Sequence, residues 1–157
     1  MSAGALTLLE IVRVIHILGG IIWAGFAIVV GVLVVPNLQP AGGQAFGQYM
    51  ALRGTRIVGI AAGLTVLSGI YLMATLHAHD ATAMGKTLGL GGVLAILAGI
   101  VSGAISGAAG RKLAKIQPGP DAQAQAAPLR ARMLLGNRIA AALIALSVIC
   151  MAIARYI

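Results

Sequence analysis

Four uninterrupted apolar runs, each long enough for a membrane-crossing helix, constrain this chain more than any other feature. A bilayer core needs about 20 apolar residues of helix. Val14 to Val35 is apolar except for His16, and Pro36 stops it. Ile57 to Leu76 and Thr87 to Gly110 carry no charge, and the latter ends at Arg111 and Lys112. The fourth run, Ile139 to Ala154, is shorter, but Arg138 and Arg155 can snorkel from its two ends. The expected fold is therefore all-α, an integral membrane four-helix bundle with antiparallel up-down helices. Its single domain spans 1–157, with spans at about 8–35, 55–78, 86–110 and 133–156.

Composition excludes the soluble alternatives. The 157 residues are 60% hydrophobic and 9% charged, where soluble domains carry about 25% charged residues. A net charge of +8 raises nucleic acid as a partner, but the basic residues cap apolar runs and form no water-exposed patch, so no nucleic acid is expected. The start of the chain has no basic stretch before its first apolar run, which reads as a retained helix and not a cleavable signal. The single cysteine, Cys150, excludes an internal disulfide framework. Paired carboxylates, a phosphate-cradling loop and a dinucleotide fingerprint are all missing from the sequence.

Orientation follows from the loop charges. The first loop holds Arg53 and Arg56, and the third holds Arg111, Lys112, Lys115, Arg130, Arg132 and Arg138. The N-terminal side, second loop and C-terminal side hold only Arg13, Lys86 and Arg155. Loops one and three are thus expected inside and both termini outside, in the inner (plasma) membrane of a bacterium. Residues 113–129, with Gln117-Pro118-Gly119-Pro120 and an Ala/Gln stretch to Pro128, read as a flexible cytoplasmic loop. Phe46, Tyr49, Met50 and Leu52 have a spacing suited to the membrane surface.

Lipid gives helices no hydrophobic reason to associate, so small residues should mark the packed faces. Gly99, Gly103 and Gly107 on the third helix, and Gly59 and Gly63 on the second, predict a close pair between those two. The third helix is also a candidate for self-association, making a homo-oligomer or a larger membrane complex a possible assembly.

Ionisable groups inside a span are functional suspects. Glu10, Arg13 and His16 are spaced by three on the first helix, and Gly19, Gly20 and Trp23 continue along it, so the stripe is expected to face the bundle interior. With the outward topology, Met73, His77, His79, Met84, Lys86 and Cys150 all fall toward the same outer side. Imidazoles ligate haem iron or copper, and thioether or thiolate sulfur suits cuprous copper. His16 with His77 or His79 is the candidate ligand set, with Met73, Met84 and Cys150 as weaker metal ligands. Gly20 beside Gly19 leaves room for a flat ring, Trp23 can pack on its edge, and Arg13 and Lys86 can meet propionates. Each feature also has a bland account: a hydrogen-bonded core histidine, solvated loop histidines, a packing tryptophan and an interfacial lysine.

The run Arg13-Val-Ile-His16-Ile-Leu-Gly19-Gly-Ile-Ile-Trp23-Ala-Gly25, closed by Pro36, resembles the first helix of the copper-resistance D family and its four-helix relatives. Leu67-Ser-Gly69-Ile-Tyr71-Leu-Met73, the Gly85-Lys86 pair and the Met151…Arg155 ending are similar to that family's later segments. A second likeness is to HemJ-type membrane protoporphyrinogen oxidases, through the first-helix histidine with Trp-x-Gly and a histidine and lysine near the third helix. There Val35-Pro36-Asn37 replaces that family's arginine- and tyrosine-rich continuation. These resemblances imply a haem b or copper site. Three readings follow: a b-type haem protein exchanging electrons with a quinol or porphyrin, which as an enzyme would be a membrane oxidoreductase; a copper-binding or copper-import protein; and a non-catalytic accessory or assembly subunit.

Overall fold

The structure, a computed structural model, describes residues 3–34, 54–78, 80–117 and 119–157. Helix α1, Ala3–Ile28, runs into a π-helical turn, Val29–Val34. Helix α2 is Thr55–Leu76. Helix α3, Ala83–Leu113, contains a second π-helical stretch, Ser102–Gly107. Helix α4, Ala122–Ile153, closes in a 3-10 turn, Ala154–Tyr156. No strand occurs among the described residues, and the four helices are long and apolar enough to cross a membrane, with mean hydropathy between 2.0 and 2.2. The apolar runs form helices because water, the competing partner for the backbone, is absent from a bilayer core.

The residue sizes are arranged inside out relative to a soluble bundle. Small residues such as Ala61, Ala95, Ala98 and Ala141 are buried, whereas Leu67, Ile60 and Ile21 are 69%, 64% and 64% exposed. A water-soluble chain could not sustain that surface; lipid contact requires it. Among the described residues the large aromatic at the centre is Trp23, which packs with Ala61, Ala95, Ala98 and Ile144.

Helix α1 packs chiefly on α2, and α3 on α4, with α1 and α4 also in contact. Ala5, Leu9, Val12, His16, Gly19 and Trp23 form the covered seam of α1, spaced alternately by four and three. That spacing keeps one stripe against a neighbouring helix. A Cβ on Gly19 would lie 2.6 Å from Thr65 Oγ1 and 3.1 Å from the Ala61 carbonyl oxygen, so glycine permits this contact. On the other pair, a Cβ on Gly91 would meet the Ser147 carbonyl oxygen at 3.2 Å, and one on Gly136 would meet Ser106 Oγ at 2.5 Å.

Several expectations need correction. The stripe divides: Glu10 and Arg13 are exposed, and no ion pair joins them among the described residues. Each stands one position beyond the seam, about 100° around the helix, because strict three-residue spacing drifts off a 3.6-residue turn. Small-residue packing is present, but at other glycines. Around Gly59, Gly63 and Gly103 nothing lies within 4 Å of a built Cβ, and Gly99 touches Trp23 of α1. The predicted flexible loop is shorter, because α4 already begins at Ala122 and buries Ala126. Alanine and glutamine are strong helix formers, and Pro128 lies within the helix without ending it. Helix α1 also starts earlier, at Ala3, and α3 runs on to Leu113. Pro36, Asn37, Arg53, His79 and the surface-helix residues Phe46, Tyr49, Met50 and Leu52 lie outside the described residues.

Candidate functional site

His16 is a seam residue of α1, and its hydrogen-bond partners among the described residues lie on α2. Its Nδ1 is 2.8 Å from the carbonyl oxygen of Thr65. A carbonyl only accepts, so this ring nitrogen carries the proton and donates. The Ser68 hydroxyl lies 3.3 Å from the same nitrogen and turns back to the Leu64 carbonyl. Thr65 likewise donates to Ala61 at 2.7 Å. The imidazole rests against Gly69, where a Cβ would stand 2.8 Å from Cε1 and 3.2 Å from Nδ1. Nε2 takes no hydrogen bond among the described residues. A histidine whose Nδ1 proton is committed to a carbonyl presents Nε2 as a free lone pair, the usual state of a metal-ligating imidazole.

The second described histidine is held similarly but elsewhere. His77 ends α2 and donates from Nδ1 to Asp80 Oδ2 at 3.0 Å. Asp80 also accepts from the Thr82 hydroxyl and, at 3.0 Å, from the Thr82 amide. Thr82 in turn caps α3 by accepting from the Gly85 amide at 3.3 Å. This knot closes the turn between α2 and α3. The Thr82 hydroxyl first, then His77, hold the Asp80 carboxyl below its ordinary value of 3.8. A depressed carboxyl contributes stability that is complete above the ordinary value and lost as pH falls through the lower folded value. The melting-temperature gap between wild type and Asp80→Asn is accordingly expected to be full at neutral pH and to close below pH 3.8. A gap that persists unchanged into that acid range would contradict the ionised turn.

The structure does not bring His16 and His77 into one ligand shell. His16 lies level with Gly69, and His77 is eight residues further along α2, about 12 Å of helix rise. Two nitrogens sharing one metal stand about 4 Å apart, given bonds near 2 Å. The room that Gly19 opens is filled by Thr65, while Gly20 meets only the Thr65 methyl, at 3.7 Å. Trp23 is in the packed core, 6% exposed. Arg13 and Lys86 are both exposed.

The soft donors are dispersed. Met73 reaches toward Gly89, and Cys150 and Met151 lie against Gly91. Gly89 and Gly91 are two residues apart, about 200° around α3, so these sulfurs approach that helix from different sides. No group of three His, Cys, Asp or Glu positioned for a metal occurs among the described residues. Sequence reasoning did not single out Thr65, Ser68 and Gly69 as partners of His16. The Leu-Ser-Gly run was visible, but only packing aligns it with the histidine. No family model, curated protein or solved structure matches this chain.

Proposed function

We propose that this is an integral plasma-membrane protein that binds a b-type haem through Nε2 of His16. Its four helices alternate in direction with both termini outside. The alternation is supported by pairs that run oppositely along the chain: His16 with Gly69 and Gly19 with Ala61, then Gly91 with Ser147 and Ser106 with Gly136. The outward termini rest on the eight basic residues in and beside loops one and three, most of them on the helix ends that flank those loops. The haem reading rests on one observation above all, the proton of His16 Nδ1 tied to Thr65 with Nε2 left bare. The resemblance to four-helix haem and copper proteins points the same way.

His16 would hold the iron through Nε2. His77 is not part of this ligand set, for the reason of distance given above. Arg13, ten residues along α1, and Lys86, in the first turn of α3, are both exposed and suited to propionates. When bound, the haem supplies one-electron chemistry. The chain's own part is to fix the histidine tautomer and orientation through Thr65 and Gly69, and to keep water from the ligand with its apolar helices. Copper import gains nothing from the dispersed sulfurs.

Oxidised and dithionite-reduced absorption spectra of the detergent-purified protein test the proposal. A Soret band with sharp reduced α and β bands is expected, at least tenfold weaker in His16→Ala. A flat visible spectrum after expression with ample haem would sink it.

A further inference from the structure

Positive charge gathers where α3 ends and α4 begins. The two helices run oppositely there, with Ser106 against Gly136 and Gly110 against Met133. Arg111 and Lys112 of α3, and Lys115 just beyond it, therefore share an end with Arg130 and Arg132 of α4. Carboxylates are scarce around them. Of the three in the chain, Asp80 is committed to the α2–α3 turn, Glu10 is on α1, and Asp121 stands exposed before α4. None pairs with a lysine or arginine among the described residues. The segments outside the described residues contain no aspartate or glutamate, so the protein's own side chains do not neutralise this end.

Three of the cations surround a hollow on the side of α3. Ala108, Arg111, Lys112 and Lys115 line it, and it holds about 260 Å³. Steps of three and four residues keep them on one side of the helix. Ala109, 2% exposed, and Gly110, against Met133, take the side turned to α4, so the hollow opens away from the bundle. The Arg111 side chain doubles back along the helix, its Nη1 3.4 Å from a Cβ built on Gly107. Glycine there lets the guanidinium lie one turn toward the apolar span. On the turns before it, Leu97, Ile100 and Ala104 are exposed. The outer surface of α3 is thus an apolar track that ends in three cations. The helix C-terminus opposes an anion with only about half a charge, which three full positive charges outweigh.

We infer that this surface holds the phosphate headgroup of one anionic phospholipid, with its acyl chains along Leu97, Ile100 and Ala104. Guanidinium and ammonium groups both donate to phosphate oxygens. A soluble polyanion would meet the cations and leave the apolar track bare. A zwitterionic lipid would bring its own positive group against them. The hollow is also smaller than the roughly 300 Å³ at which sites for drug-sized ligands begin, which suits a headgroup. The inference rests on the membrane-spanning reading and not on the haem, so lipid binding is expected unchanged in His16→Ala.

Short-chain phosphatidylglycerol, or phosphatidylcholine with the same chains, is titrated into the detergent-purified protein, and native mass spectrometry counts the bound lipid. One phosphatidylglycerol should bind saturably and ahead of phosphatidylcholine. Lys112→Gln should raise its half-saturation concentration about fivefold, and Lys112→Gln with Lys115→Gln about 25-fold, as expected for basic groups at a membrane surface. Lys112→Arg keeps the charge and should keep the binding. Arg130→Gln with Arg132→Gln removes the same charge from the same end but outside the hollow, and should change little. All four positions are exposed, so the fold should survive each substitution. Equal affinity for the two lipids would overturn the inference while leaving the membrane reading in place. Equal losses in the two double variants would also overturn it, since the lipid would then sense net charge alone. Displacement of the lipid by equimolar inorganic phosphate, or by a short oligonucleotide, would assign the hollow to a soluble anion and overturn it as well.

Discussion

Alanine at position 85 is expected to destabilise the protein by about 3 kcal/mol, the upper part of the usual range for overpacking. A Cβ there would strike the Asp80 carbonyl oxygen and come within 2.7 Å of that residue's carboxyl carbon. The obstruction is partly backbone, which a rotamer change cannot relieve. Asp80 itself is held by His77 and Thr82, so moving it breaks the turn that sets α3 against α2. Gly59→Ala and Gly63→Ala are the controls. Their built Cβ atoms meet nothing within 4 Å, and helix propensity favours alanine by up to about 1 kcal/mol. Thermal unfolding in one detergent should therefore separate Gly85→Ala from both. Equal melting temperatures for all three would show that the α2–α3 turn is not packed as described.

Gly69→Ala is the second large effect, and it acts on the site. The new methyl would stand 2.8 Å from Cε1 of His16, so the ring must swing away from the Thr65 carbonyl. Losing that hydrogen bond costs about 1 kcal/mol, which the alanine's own helix propensity largely offsets. Stability should thus change little while the imidazole does change. Nitrogen NMR of the labelled histidine is expected to show the Nδ1-protonated tautomer in wild type and a mixture in Gly69→Ala. The haem bands should fall at least fivefold in the same variant, in keeping with the cost of removing outer-shell support. An unaltered tautomer together with unaltered bands would mean that Gly69 and Thr65 do not orient His16.

Much of the architecture was legible from composition and run length. Four apolar stretches in 157 residues, with 9% charged residues, leave few alternatives to four helices in lipid. His16 was also visible as the ionisable group in the first run. Its partners were not, because a helix written alone does not say which neighbour its seam meets. The glycine patterns illustrate the difficulty. Gly59, Gly63 and Gly103 have the spacing of a packed face yet meet nothing, while Gly19, Gly69, Gly91 and Gly136 do the packing. Glycine removes bulk wherever it occurs, and only the opposing surface decides whether that room is used.

The sequence by itself determined that four helices are long and apolar enough to cross a membrane and where most of each lies, but not the start of α4, which begins at Ala122 and not near 133. These depend on local quantities: apolar length, helix propensity and the cost of an unpaired backbone in hydrocarbon. The tertiary structure decided that α1 pairs chiefly with α2 and α3 with α4, and that Glu10 and Arg13 leave the seam while His16 stays on it. It also decided that Thr65 holds the ring of His16. Helix pairing in lipid turns on close steric fit between small residues distant in the chain, and that fit exists only once two surfaces have met.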